Sequence, residues 1–129
     1  MWKVTSAHMV LLYIMIGSVY AEHLTQVEIY GGKHDAYSQS LQVALESAFS
    51  KANGFELSKI HDDSSLRVIL DSSVKWKQYG DQTRIYYDII FADRNNPALG
   101  RSKGSCWISQ LEECTRHVIA DASALQRVH

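Results

Sequence analysis

Apolar and polar positions along the chain switch between a period of two and a period of three to four, and the switches mark out its elements. Val27 and Ile29 alternate with Gln26, Glu28 and Tyr30, which predicts a first strand with one buried face, ended by Gly31-Gly32. Asp35 is a fitting helix cap, and Leu41, Ala44, Leu45, Ala48, Phe49 and Ala52 then recur at helical spacing until Asn53-Gly54 stops them. Phe55-Glu56-Leu57 returns to period two, and His61-Asp62-Asp63-Ser64-Ser65 reads as a polar turn. Leu66, Val68 and Leu70 then form the inward side of a further strand, with Arg67 and Ile69 outward. Val74 and Trp76 continue the inward series with Lys75 and Lys77 between them, and residues 78–82, centred on Gly80-Asp81, predict a hairpin.

The clearest strand runs from Thr83 to Ala92. Ile85, Tyr87, Ile89 and Phe91 share the core side, while Arg84, Tyr86, Asp88 and Ile90 share the other. Residues 93–97 are turn chemistry, and residues 98–102 read as a short edge strand. A closing helix carries Leu111, Cys114, Val118, Ile119, Ala122 and Leu125 on one stripe, with Glu112, Glu113, Arg116 and Asp121 away from it. Ser109 and Glu112 have the spacing of a capping box at its start. Strand, helix, several strands and a final helix predict an α+β fold: a small, mostly antiparallel sheet with two helices packed on one face and the other face open.

The N-terminus changes the picture of where this domain works. Lys3 supplies a positive start, and residues 9–16 (MVLLYIMI) form an apolar run too short to span a bilayer. Val19-Tyr20-Ala21 places small or branched residues where a signal peptidase reads, so residues 1–21 are expected to be a cleavable signal peptide and residues 22–129 a single domain, secreted or periplasmic, with no transmembrane segment. The helix running into Gly54-Phe55-Glu56-Leu57, followed by strands and a final helix behind an export signal, resembles small bacterial envelope domains of the TolB amino-terminal or CsgG type. That resemblance implies a structural or protein-binding module rather than an enzyme. The chain departs from the lipoprotein members in lacking a cysteine at the cleavage junction.

Composition narrows the partners. The 129 residues carry 13 Lys and Arg against 14 Asp and Glu, a formal net charge of −1, so no whole-molecule field draws in nucleic acid or anionic lipid. An electrostatic partner has to be met by a local patch.

Candidate chemistry is sparse. Cys106 and Cys114 are the only cysteines, and a pair in an exported domain favours a disulfide. In one continuous helix they would stand about 12 Å apart along the axis, beyond disulfide reach, so Cys106 is expected in the segment approaching the helix. The alternative is a reactive cysteine assisted by His117. His23, His34, His61, His117 and His129 are scattered without ligand spacing, so neither a metal site nor a cofactor is assigned. Gly31-Gly32 lacks the Lys-Ser/Thr ending of a phosphate loop. An enzymatic reading, as a small secreted hydrolase, would need Asp62 with Asp63, or His117 with Glu113, in a concave pocket. No catalytic residue is assigned.

Strand alternation supplies the sharper candidate. If the apolar sets face inward, Arg67, Lys75, Lys77 and Arg84 share the open face with Ile69, Tyr86 and Ile90. A basic, partly aromatic face suits an acidic protein or a glycan, because apolar area supplies affinity while cations steer. The alternative is a solvated face whose Lys and Arg stems lie over the apolar residues. The expectation is a binding or accessory domain making protein or envelope contacts, or alternatively an inhibitor- or immunity-like protein acting on an enzyme.

Overall fold

The computed structural model describes residues 24–31, 35–58 and 64–128, so the expected signal peptide and the His61-Asp62-Asp63 turn lie outside the described residues. Its elements are β1 (Thr25–Tyr30), α1 (Ala36–Lys51), β2 (Phe55–Leu57), β3 (Leu66–Leu70), β4 (Lys75–Tyr79), β5 (Gln82–Ala92), β6 (Gly100–Trp107), a 3-10 turn (Ile108–Gln110) and α2 (Leu111–Val128). The fold is α+β, as the alternating periods predict.

The sheet is mixed. β1 lies between β2 and β3 and runs parallel to both, with Val27 level with Leu57 on one side and Leu66 on the other. β5 is antiparallel to all its neighbours. β3 and β4 lie end to end along one edge of β5, Leu70 opposite Ile89 and Lys75 opposite Tyr86, and β6 runs the length of the other edge. β5 is therefore the backbone of the sheet. Its eleven residues alternate as read, with Ile85, Tyr87, Ile89 and Phe91 buried.

Both helices cover the same face. α1 packs on β1 and β2 through Leu41, Leu45 and Phe49, and α2 packs on β6 through Cys114, Val118 and Ala122, all buried in one core with the inward residues of the sheet. Asp35 caps α1, its Oδ2 accepting from Ser38 N–H at 3.0 Å. The helix ends before Gly54, whose φ of 87° is the left-handed turn that a glycine adopts without a Cβ clash. Gly80, at φ 63°, is the first central residue of a two-residue turn between Tyr79 and Gln82. Positive φ there matches the right-handed twist of the strands it joins.

Three expectations are corrected. The strand expected at residues 98–102 is β6, eight residues long, whose inward positions Ser102, Gly104 and Cys106 are small. Two glycines on this side are hemmed in: a Cβ on Gly104 would lie 2.7 Å from the hydroxyl oxygen of Tyr87 on the neighbouring strand, and one on Gly100 would lie 2.9 Å from the Leu125 methyls of α2. The second correction is at Trp76, expected in the core but 56% exposed. It stands on the helix side of β4, beside Tyr37 of α1, ring centres 5.6 Å apart. The third is the start of α2, which opens through a 3-10 turn capped at Trp107 with no side-chain hydrogen bond, rather than through a Ser109 capping box.

Candidate binding surface

The cysteines settle first. Cys106 on β6 and Cys114 on α2 form a disulfide with Cα atoms 5.7 Å apart, both residues buried. Cys106 is in the strand that precedes the helix, which brings it within reach, and neither thiol is available as a nucleophile for His117 to assist.

His117 has other company. Its Nε2 lies 3.1 Å from Asp121 Oδ2, one turn along α2, rather than on Glu113, and the same carboxylate oxygen accepts from Ser102 Oγ at 2.6 Å. Tyr87 completes the set, its hydroxyl 3.3 Å from Ser102 Oγ and its ring edge-on to His117. Burial pushes the Tyr87 phenol above its ordinary value. A serine, a histidine and an aspartate thus meet, but the carboxylate stands between hydroxyl and imidazole, and Ser102 is 1% exposed. A serine nucleophile needs the imidazole as its own partner and an open approach. The network fastens α2 to β6 and β5.

The open sheet face holds all seven residues predicted for it. Strand register sets Ile69 beside Ile90, Lys75 beside Tyr86 and Lys77 beside Arg84, with Arg67 further along β3. Register also adds members that the alternation of single strands did not reveal: Tyr79 on β4, and Arg101, Lys103, Ser105 and Trp107 on β6.

This face divides into two electrostatic halves. In one, cations meet carboxylates. Arg67 Nε is 3.9 Å from Glu28, Arg101 Nη1 donates to both oxygens of Asp88 at 2.8 and 2.7 Å, and Lys103 is 3.9 Å from Asp88. Asp71 also stands 3.6 Å from Arg101. Gln26 on β1 donates to Glu56, its neighbour on β2. In the other half, Lys75, Lys77 and Arg84 have no carboxylate within ion-pair distance among the described residues.

Aromatic rings take the place of counter-charges there. Arg84 lies over the Trp107 indole at 4.9 Å and is pinned by donating from Nε and Nη2 to Ser105 Oγ at 3.2 and 3.0 Å. Lys77 Nζ sits 5.4 Å from the centre of the Tyr79 ring. Tyr79 meets Trp107 edge-on at 5.8 Å, and its hydroxyl lies 3.3 Å from that of Tyr86. Exposed cation–π contacts are worth only about 0.5–1 kcal/mol each, so they orient these cations without quenching their charge. The hydrogen bond to Tyr79 holds the Tyr86 phenol above its ordinary value. The result is a corner of three aromatic rings and three cations that meet no carboxylate at ion-pair distance among the described residues, with Tyr79 45% and Tyr86 40% exposed.

No protein-family profile and no curated protein sequence matches the chain. Among solved structures it is similar to the PelC dodecamer from Paraburkholderia phytofirmans, with 12% identity, a TM-score of 0.46, and 82% of this chain and 87% of that chain covered. It is also similar to a minor lipoprotein from Acinetobacter baumannii, with 16% identity, a TM-score of 0.39, and 85% of this chain and 90% of that chain covered.

Proposed function

We propose that this chain is an exported, non-enzymatic binding or accessory module that makes its contacts through the open sheet face. The observation that carries the reading is the segregation of charge on that face: among the described residues Lys75, Lys77 and Arg84 stand by Tyr79, Tyr86 and Trp107 with no carboxylate at ion-pair distance, while the neighbouring cations are paired off. Exposed apolar area beside unpaired cations is what a surface for an anionic partner requires. A buried disulfide favours an oxidising compartment, in keeping with the signal peptide expected at residues 1–21, and no described helix is long and apolar enough to cross a membrane. The reading also carries forward the resemblance to TolB amino-terminal and CsgG-type envelope domains, which act through contacts rather than chemistry.

The test compares the native domain with a Lys75→Ser/Lys77→Ser/Arg84→Ser variant of equal thermal stability, each immobilised and exposed to envelope extract of the source cells at low salt. A component retained by the native domain and lost from the variant supports the reading. Equal retention by both sinks it.

A further inference from the structure

The charge-segregated corner described above also limits the chemistry of its occupant, and this inference rests on that reading of the face. Protein partners are held mainly by side-chain anchors that enter pockets at the centre of an interface. Here the rings of Tyr79 and Tyr86 stand half-exposed on the side of β4 and β5 away from the core, with their hydroxyls 3.3 Å apart. Beside Tyr86, where β3 gives way to β4, the surface dips into a shallow depression of about 190 Å³ lined by Ser72, Ser73, Lys75, Tyr86, Tyr87, Asp88 and Lys103. That lining combines hydroxyl, ammonium and carboxylate groups with apolar surface, and Tyr86 belongs both to it and to the aromatic corner.

We propose that the corner binds an anionic glycan, a polymer of sugars bearing carboxylates. Sugar rings lie against Tyr79 and Tyr86, with the apolar C–H face of a pyranose toward the aromatic plane. The carboxylates meet Lys75, Lys77 and the fixed guanidinium of Arg84. Ser72, which lines the depression, offers its hydroxyl to a hydroxyl of one residue of the polymer. Asp88 is compatible with this arrangement because its charge is already taken up by Arg101 and Lys103. Successive outward residues on a strand stand about 7 Å apart, so one chain lying along β4 and β5 meets several of these groups at once.

The test uses the whole exported domain and three defined polymers: polymannuronate, poly-glutamate as an acidic polypeptide, and uncharged dextran. Affinity for each is measured for the native domain, for Tyr79→Ala/Tyr86→Ala and for Lys77→Ser/Arg84→Ser, all checked for native thermal melting. The expected result is binding to polymannuronate in preference to both other polymers, reduced about tenfold by the tyrosine pair and at least as much by the cation pair. Poly-glutamate binding as tight as polymannuronate, indifferent to the tyrosines but lost with the cations, would overturn the glycan assignment and leave the anionic face standing. Native protein that binds neither polyanion at low salt would overturn the glycan assignment too. In that case the envelope comparison decides separately whether the face has any partner.

Discussion

Ser38 Oγ accepts the backbone N–H of Val74 at 2.9 Å and donates to Asp35 Oδ2 at the same distance, so the cap of α1 and the junction between β3 and β4 share one hydroxyl. Ser38 is fully buried, and its removal strands a buried N–H as well as loosening the cap. Ser38→Ala is expected to cost about 1–3 kcal/mol in urea unfolding, against about 1 kcal/mol for Asp35→Ala. Because the two share a network, the double variant should lose less than the sum of the singles.

Asp35 also predicts a pH dependence. Hydrogen bonds from the Ser38 side chain and backbone hold its carboxyl below the ordinary value of 3.8. A group lowered on folding stabilises fully above its unfolded value and loses that contribution as pH falls through the folded one. Asp35→Asn keeps a capping oxygen but cannot titrate. The difference in urea midpoint between native and Asp35→Asn proteins should be constant from about pH 7 to about pH 5 and shrink below about pH 4. A difference that does not change across this range would refute the linkage.

The disulfide closes a short loop of sequence separation 8 between β6 and α2. In the chain-entropy treatment this contributes about 2–3 kcal/mol. Cys106→Ala/Cys114→Ala should lower unfolding stability by about that amount, and reducing agent should destabilise the native protein while leaving the variant unchanged.

Gly104 faces Tyr87 across β5 and β6, where an added Cβ would lie 2.7 Å from the hydroxyl oxygen and 3.0 Å from the ring. Gly104→Ala should destabilise by about 1–3 kcal/mol through overpacking. Tyr87→Phe in that background relieves the closest of these contacts and should return part of the loss. Thermal melts of the two variants side by side check both statements.

Legibility in the sequence followed the size of the buried side chains. β5 could be read residue by residue because Ile85, Tyr87, Ile89 and Phe91 are large and regularly spaced. α1 was equally plain, with a cap, a stripe and a glycine stop. β6 is longer than periodicity predicts because its inward positions Ser102 and Gly104 carry no hydrophobic signal; Gly104 leaves room for Tyr87, a requirement set by a neighbour distant in the chain. Trp76 was misassigned for the opposite reason. Its alternation is correct, but burial depends on whether the helix layer extends over β4, and periodicity does not report that. The seven residues of the open face followed from alternation alone. The partnership of Arg84 with Trp107 required the pairing of β5 with β6, as did the neutralisation of Arg101 by Asp88.

The position of β1 between two strands that both follow it in the chain has a consequence for how the protein is made. β4, β5, β6 and α2 join one another through short connections along the chain, so that half can close as soon as it has emerged. β1 must wait for β2 and β3 to arrive on either side. Until β3 (Leu66–Leu70) docks, Val27 and Ile29 therefore lack their sheet neighbours on that side, which leaves this strand the later of the two regions to be sheltered. Pulse-labelled hydrogen exchange during refolding should show the same order, with amides of β5 and β6 protected before those of β1.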